Sequence, residues 1–380
     1  MKLTERKNND PYPNLLPERR DLPIAVLLSG GVDSSVALAR LRALGYRRLT
    51  AFYLKIWLED ELAHLGECPW EEDLRYCRAV CRQLEVPLEV LSLQSEYLEK
   101  VVHHALAELR AGRTPSPDIW CNARIKFGTF YQKIGSEFAG VASGHYARKG
   151  FDGRLYWLLR SPDPVKDQTY FLCHLSQAQL ARALFPIGHL SKAQVRELAA
   201  GYGLPTSTRK DSQGICFLGQ IRYPEFVRFH LGERTGPIVE LESGRRLGEH
   251  RGYWFYTIGQ RQGLGLSGGP WYVVKKDVDH NVIFVSHRRH LPERSCNRFV
   301  VAAPNWIARP PQSEQLLVKI RHGPRITPCR IRRLDNQRLE VTMAEEDPGI
   351  APGQFAVFYQ GERCLGGGVI EAPVAAEISA

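Results

Sequence analysis

Ser29-Gly30-Gly31-Val32-Asp33-Ser34-Ser35 is the stretch that decides the fold. The apolar run 24–28 before it has the pattern of a buried strand, and residues 33–44 after it have that of a helix. A strand, a glycine turn and a helix start together favour a phosphate site, because glycine lets the backbone approach an anion and the helix start supplies amide donors. No Lys follows the last Gly, so the stretch is not a Walker A loop.

The loop resembles the SGGxDS loop of the PP-loop ATP pyrophosphatases, which cut ATP between the α- and β-phosphates. Up to about residue 205, apolar runs alternate with helical stretches, which predicts an α/β domain with a doubly wound parallel sheet and its ligand at the carboxyl ends of the strands. The predicted strands are 24–28, 49–54, 87–93 and 139–143. The predicted helices are 33–44, 71–84, 95–111, 124–138, 176–183 and 191–202.

The composition of the sequence changes after about residue 219, where Gly, Pro and aromatic residues become frequent. Short predicted strands from 298 to 359 favour a small C-terminal antiparallel β-barrel. We therefore expect a flexible N-terminal tail (1–22), a PP-loop ATP-binding catalytic domain (23–219), a small mixed central domain (220–289) and a C-terminal β-barrel domain (290–376).

Composition and charge limit the classes of function that this chain can have. A net charge of +10 and a pI near 9.2 are compatible with a polyanion partner, and residues 319–333 hold six basic side chains and no acidic one. On composition alone, a solvated strand face is the better explanation of that run. Nine cysteines, an odd number, favour thiols in a reducing, cytoplasmic location. No apolar run approaches the ~18 residues of a membrane span, and residues 1–22 do not read as a targeting segment.

Two cysteines stand apart from the other seven. Cys121 comes just before a helix predicted to start near Arg124, where the helix dipole and nearby basic side chains would stabilise a thiolate. Cys216 lies between Gly214 and Gly219. A buried, inert thiol is the alternative interpretation for either residue alone. Cys77 and Cys81 share a helix face at i, i+4 rather than forming a zinc motif, so no metal site is expected there.

The ordered set of motifs resembles the bacterial-type tRNA-specific 2-thiouridylases, the MnmA/TrmU family, over residues 24 to about 371. The matching segments begin with the glycine loop and include both cysteines. They are 29–35, 117–122, 125–127, 143–146, 166–172, 210–217, 248–252, 257–264, 270–274, 352–359 and 364–368.

This resemblance implies a sulfurtransferase that modifies the wobble uridine of tRNAs for Lys, Glu and Gln. ATP would adenylate the C2 oxygen of the base and release pyrophosphate. Sulfur would arrive as a persulfide on Cys216, fed by a cysteine desulfurase or a sulfur-relay protein. Cys121 would act as nucleophile toward that persulfide or toward the activated ring. A transient disulfide between the two cysteines would need their Cα atoms within about 4.4–6.8 Å.

The resemblance also assigns residues to each substrate. Asp33 would orient Mg²⁺ or a phosphate-bound water, with a helix-start carboxylate as the alternative interpretation. Asp118 would orient the ring of the base or help to move a proton. The ATP site would comprise Leu27, Leu28, Ser29, Gly30, Gly31, Val32, Asp33, Ser34, Leu54 and Gly144. The target base would meet Ser116, Pro117 and Asp118. The tRNA would also be contacted by His145, Lys166, Asp167, Gln168, Arg321, His322 and Gln354.

The chain departs from the family pattern at three of these positions. Ser116 stands where Asn is usual, Leu54 where Met is frequent, and His322 where Tyr is frequent, which weakens the expected side-chain contacts at Ser116 and His322. Two alternatives remain open on sequence alone. One is another PP-loop enzyme, a tRNA 4-thiouridine synthase or an amidotransferase-type synthetase, and the other is a non-catalytic RNA-binding protein.

Overall fold

The computed structural model describes residues 20–56, 69–210, 223–291 and 296–373. Within these ranges the strands are β1 (Ile24–Leu27), β2 (Leu49–Lys55), β3 (Leu88–Ser92), β4 (Gly140–Ala142), β5 (Ala147–Phe151), β6 (Tyr156–Arg160), β7 (Ala183–Leu184), β8 (Gly236–Glu240), β9 (Arg246–His250), β10 (Trp271–Asp277), β11 (Val282–His287), β12 (Cys296–Trp306), β13 (Gln315–Lys319), β14 (Thr327–Arg333), β15 (Arg338–Asp347), β16 (Phe355–Gln360) and β17 (Arg363–Pro373).

The helices surround the N-terminal sheet, and two of the helical runs contain π-helical turns. The described α-helices are Val32–Ala43, Pro69–Leu84, Gln94–Tyr97, His103–Arg110, Pro117–Trp120, Phe130–Ile134, Gln177–Arg182, Lys192–Gly201 and Tyr223–Leu231, with π-helical turns at Leu98–Val102 and Cys121–Thr129. Short 3₁₀ turns lie at Thr169–Leu172, Tyr253–Phe255 and Arg288–His290. The N-cap residues Ser176 and Ser191 each form a capping box.

The first sheet is parallel and has the order β3-β2-β1-β4-β7. All four residues of β1 are buried, because the strand is covered on both faces. The chain leaves β1 for β2 on one side, whereas β4 lies on the other, so the strand order reverses at the end of β1. The predicted doubly wound sheet is confirmed, and the glycine loop lies at the position where such sheets bind ligands.

Two further sheets complete the molecule. The central sheet has the order β10-β11-β8-β9, and β12-β15-β14-β13-β16-β17 close through a β12–β17 pairing into the predicted antiparallel barrel. The structure adds one feature that the sequence analysis did not predict. The β5–β6 hairpin, which the sequence places in the ATP-binding domain, pairs with β17 and extends the barrel sheet. In the described ranges, no helix has both the length and the apolarity needed to cross a bilayer.

Candidate active site

The glycine loop is held in shape by contacts within seven residues. The backbone N–H of Ser29 donates to Ser34 Oγ at 3.2 Å, and the hydroxyls of Ser34 and Ser35 donate to the carbonyl oxygen of Gly31 at 3.2 and 2.8 Å. The hydroxyls therefore brace the first turn of the helix that starts at Val32. The amides at the start of that helix are available for an anion, since the first N–H groups of a helix have no partner within it.

Two glycines let other segments pack tightly against this loop. Gly30 has a φ of +74°, and a Cβ there would lie 2.6 Å from the carbonyl oxygen of Asp73. A Cβ on Gly144, which follows β4, would lie 2.7 Å from the amide nitrogen of Ser34. Any side chain at either position would push the packed segment away from the loop.

Asp33, at the start of the helix, accepts two hydrogen bonds on the same carboxylate oxygen. Lys192 Nζ lies 2.7 Å from Asp33 Oδ1, and the Tyr146 hydroxyl lies 2.8 Å from it. Lys192 is the first residue of its own helix and is distant in sequence. The fold therefore brings an ammonium group to the phosphate loop, where sequence reasoning placed only hydroxyls, amides and a carboxylate.

A second cation supports the loop from behind. Arg209 donates to the carbonyl oxygen of Gly30 at 2.8 Å and to Asp73 Oδ1 at 2.5 Å. Burial raises the pKa of Asp73, although the Arg209 contact partly offsets the rise. Arg209 thus fixes the loop backbone to the helix Pro69–Leu84.

The helix that carries Cys121 begins earlier than predicted. It starts at Pro117, with Ser116 as its N-cap residue, so the predicted start near Arg124 is wrong. Cys121 is consequently the fifth residue of the helical run and is 1% exposed. The helix dipole therefore stabilises a Cys121 thiolate less than expected, because its effect falls off within the first turn. Cys121 instead opens the π-helical stretch to Thr129, a widened geometry that often occurs at functional sites.

A cavity of about 410 Å³ joins the loop to this helix. Most of the residues predicted from the resemblance line it. From the predicted ATP site these are Leu27, Leu28, Ser29, Gly31, Val32, Asp33, Ser34, Leu54 and Gly144, and from the predicted catalytic and tRNA sets they are Asp118, Cys121, His145, Lys166 and Gln168. Gly30 lies behind the loop. Cys216 lies outside the described residues, so the predicted Cys121–Cys216 disulfide stays a prediction.

Residues 110–116, here called the clasped segment, lead into the Cys121 helix and are held by the other two domains. From the central domain, the Tyr253 hydroxyl donates to the carbonyl oxygen of Arg110 at 2.5 Å. From the barrel domain, Gln354 Nε2 donates to the carbonyl oxygens of Thr114 and Pro115 at 3.2 and 3.3 Å. Gln354, predicted to contact tRNA, thus has its amide directed at the loop that precedes Ser116.

Three other predicted tRNA contacts lie away from the cavity wall. Asp167 is 1% exposed and forms an ion pair with the fully buried Lys319 of the barrel, 2.9 Å away. We therefore revise its predicted role from direct contact to positioning of its neighbours. Arg321 pairs with Asp347 and keeps half of its side chain exposed. The exposed His322 ring stacks on Phe171, with 4.6 Å between the ring centroids.

The histidines around the cavity favour the neutral form. Burial, together with the nearby charge of Lys126, holds the pKa of His145 well below its ordinary value. One ring nitrogen of His145 lies 2.8 Å from Ser143 Oγ. Burial lowers to about 4 the pKa of His174, which packs against Trp120 in the helical run that carries Cys121. At neutral pH these rings therefore act as hydrogen-bonding groups rather than as cations.

Sequence reasoning missed several lining residues. They are Phe52, Tyr53, Ile56, Asp73, Asn122, Ile125, Lys126, Ser143, Tyr146, Phe171, Lys192 and Lys210. Asn122 and Lys126 lie within or beside the motifs that carry Cys121, so adjacency to that cysteine was the available signal. Lys192 has no such signal, because it reaches the loop only through the packing of its helix against the helix Val32–Ala43.

Comparisons with known proteins agree with this architecture. Family models match residues 22–220 as a tRNA methyl transferase HUP domain, 224–287 as a tRNA methyl transferase PRC-barrel domain and 296–370 as an aminomethyltransferase beta-barrel domain. The tRNA-specific 2-thiouridylase MnmA 1 of Bacteroides thetaiotaomicron is 46% identical over 91% of this chain and 99% of its own length.

Two further relatives extend the likeness to other genera. The tRNA-specific 2-thiouridylase MnmA of Parabacteroides distasonis is 45% identical over 92% of this chain and 99% of its own length. The protein of the same name from Porphyromonas gingivalis is 43% identical over 92% of this chain and 99% of its own length. Identity of this level over nearly the whole chain shows that the protein belongs to the MnmA family of tRNA-specific 2-thiouridylases.

Proposed function

We propose that this protein replaces the C2 oxygen of a tRNA wobble uridine with sulfur at the expense of ATP, which is cut to AMP and pyrophosphate. The observation that carries the proposal is the single cavity that has the glycine loop at one end and Asp118 and Cys121 at the other. This arrangement suits a reaction in which a nucleotide phosphate and a nucleobase oxygen must meet. Family membership favours this activity over the alternative PP-loop reactions and over a non-catalytic RNA-binding protein.

The loop end of the cavity would hold ATP. Amides at the start of the helix Val32–Ala43 and the hydroxyl of Ser29 would bind phosphate oxygens, and Lys192 would leave Asp33 to neutralise the pyrophosphate that departs. Leu54 and Gly144 would border the adenosine. The oxygen of the uracil C2 carbonyl then attacks the α-phosphorus, the bond to the β-phosphate breaks, and N3 of the ring loses its proton.

Mg²⁺ fits this end of the cavity as an ion held mainly by phosphate oxygens. In the described ranges, no group of three or more His, Cys, Asp or Glu residues forms a metal site. Asp33 and Asp73 line the cavity, and each already has a cationic partner. Mg²⁺ commonly takes one or two carboxylates and completes its shell with phosphate and water. Bound there, it would neutralise phosphate charge.

The other end of the cavity would carry out sulfur transfer. Asp118 would orient the ring and take up the N3 proton. The terminal sulfur of a persulfide on Cys216, loaded by a cysteine desulfurase or a relay protein, would attack C2, and AMP would leave. Attack of the Cys121 thiolate on the Cys216 sulfur would then release 2-thiouridine and leave a Cys121–Cys216 disulfide, which a dithiol reductant must reopen.

The tRNA would reach this end across the positively charged side chains at the cavity mouth and on the barrel. Lys166, Gln168 and His145 line the cavity, whereas Arg321 and His322 would contact the backbone nearby. The Ser116–Asp118 stretch would touch the target base, with Gln354 acting through the clasped segment as well as on tRNA. We place the reaction in the cytoplasm, where tRNA is modified.

Nucleoside mass spectrometry tests the proposal. Purified protein, ATP, Mg²⁺, a persulfide donor and unmodified tRNA should give 2-thiouridine at the wobble position, together with AMP and pyrophosphate. A Cys216→Ser variant should bind tRNA and ATP but form no 2-thiouridine, and a Cys121→Ser variant should carry persulfide without transferring it. ADP as the product, or full thiolation by Cys216→Ser, would refute these roles.

A further inference from the structure

Asn122 lies on the helix face that lines the cavity. Asp118, Asn122 and Lys126 follow one another at intervals of four residues, and all three line the cavity. Side chains spaced in this way share one face of a helix. Asn122 directly follows Cys121 and is only 3% exposed. It therefore lies at the end of the cavity where the target base would be held.

The orientation of the Asn122 amide follows from its one hydrogen bond. Nδ2 donates to the backbone carbonyl oxygen of Phe171 at 3.1 Å. The opposite orientation would place two oxygens against each other, so the contact fixes which end of the amide is the oxygen. Among the described residues, Oδ1 has no hydrogen-bond partner although it is buried. A buried acceptor without a donor carries a desolvation cost and calls for an explanation, such as a ligand that supplies the donor.

We propose that Asn122 Oδ1 accepts a hydrogen bond from N3–H of the target uracil and so selects uracil over cytosine. This inference rests on the proposed function. Uracil carries a donor at N3, whereas N3 of neutral cytosine is an acceptor and would face Oδ1 with a second lone pair. Protein atoms cover Oδ1 in this structure, so the base edge displaces them when it binds. When the C2 oxygen is activated, this proton passes to the neighbouring Asp118 and the contact to Oδ1 is given up, so Asn122 acts in recognition of the unreacted base.

Binding of tRNAs that differ only at the wobble position tests this role. The full-length protein is titrated at one fixed salt concentration with transcripts that carry uridine, cytidine or 3-deazauridine, in which N3–H is replaced by C–H. The wild type should bind the uridine transcript about tenfold more tightly than either of the others. In Asn122→Ala, this ratio should fall to near one, mainly because uridine binding weakens.

Asn297→Ala is the matched control. Its amide also donates to a backbone carbonyl, that of Met343 at 3.0 Å, but in the barrel and away from the cavity. That variant should keep the wild-type ratio. A purely structural role for Asn122 predicts that Asn122→Ala weakens all three transcripts equally, and that result would overturn the proposal. Loss of ATP affinity with an unchanged ratio would also overturn it, because Asn122 would then serve the nucleotide end.

If Asn122→Ala does not fold, the comparison of the uridine and 3-deazauridine transcripts on the wild-type protein still tests the proposal. Equal binding of the uridine and 3-deazauridine transcripts by the wild type would by itself sink the assignment. Thiolation by the wild type is measured in parallel. Formation of 2-thiouridine without a binding preference for N3–H would refute the role of Asn122 alone, whereas absence of 2-thiouridine would refute the proposed function.

Discussion

The glycine loop lines the cavity and the clasped segment leads into the helix that carries Cys121, but the two are held in opposite ways. The loop is braced by hydroxyl and amide contacts within residues 29–35 and by Arg209, so all these contacts come from the first domain. The clasped segment depends on distant partners, since it bonds to Tyr253 and Thr257 of the central domain and to Gln354 of the barrel domain. ATP binding should therefore be a property of the first domain, whereas alignment of the base should depend on all three.

The largest effect should come from the loop. Gly30→Ala places a Cβ at a positive φ and 2.6 Å from the carbonyl oxygen of Asp73, so we expect ATP affinity to fall about 100-fold. Calorimetric titration with ATP measures it. Gly203→Ala is the control, because Gly203 also has a positive φ of +62° but open space at the Cβ position. Equal losses in both variants would mean that strain, not loop packing, is responsible.

A smaller and different effect should come from the clasp. Gly353 has a φ of +89°, and a Cβ there would lie 2.7 Å from the carbonyl oxygen of Thr114. Gly353→Ala should lower the rate of thiolation about 30-fold, because small displacements of reacting groups are costly, and leave ATP affinity within about twofold. Single-turnover thiolation and ATP titration separate the two.

Gly361→Ala is the matched control for the clasp, with a φ of +58° and no neighbour within 4 Å. It should lose stability without losing the rate constant of thiolation. If Gly353→Ala impaired ATP binding as strongly as thiolation, the contrast between the two regions would collapse.

The third effect concerns Lys192, which brings to the loop an ammonium group that residues 29–35 do not contain. Lys192→Met should weaken ATP binding about tenfold and leave AMP binding unchanged, because the ammonium group would contact only the departing phosphates. Competition titrations with ATP and AMP measure both. Lys133→Met, which removes an exposed ion pair with Glu96, should change neither. An equal loss for AMP would indicate that Lys192 acts only by supporting Asp33.

The smallest effect concerns pH. His174 packs against Trp120, with 4.7 Å between the ring centroids. Burial, together with the nearby charge of Arg124, lowers the pKa of His174 in the folded state to about 4. The unfolded chain binds a proton near pH 6.5 that the folded chain does not, so this residue destabilises the fold as pH falls from 6.5 toward 4. His174→Gln should reduce that acid loss by on the order of 1 kcal/mol. Urea unfolding at pH 7.5 and 5 measures the difference, and an unchanged acid limb would contradict it.

The same contrast explains what the sequence predicts well. The loop, the parallel sheet and the barrel are signalled by local patterns, because a strand, a glycine turn and alternating residues leave marks in short windows. The predicted start of the Cys121 helix lies seven residues too late, although Pro117 suits a first helical turn. The pairing of the β5–β6 hairpin with the barrel has no local signal, because Leu159 of β6 pairs with Arg363 of β17. No short sequence pattern predicts the position of Lys192 or the buried Asp167–Lys319 pair, because both contacts join residues that are distant in sequence.

The shared sheet limits how this chain can be divided. Because β6 pairs with β17 and Asp167 pairs with Lys319 of the barrel, a fragment that ends after residue 210 would expose a strand edge and leave Asp167 with Arg160, 3.6 Å away, as its cationic partner. Both are hazards for aggregation and stability. The boundaries between the three family matches are therefore poor places to truncate the protein. A fragment engineered only to bind ATP would have to keep the barrel for its stability, although its contacts to the nucleotide all come from the first domain.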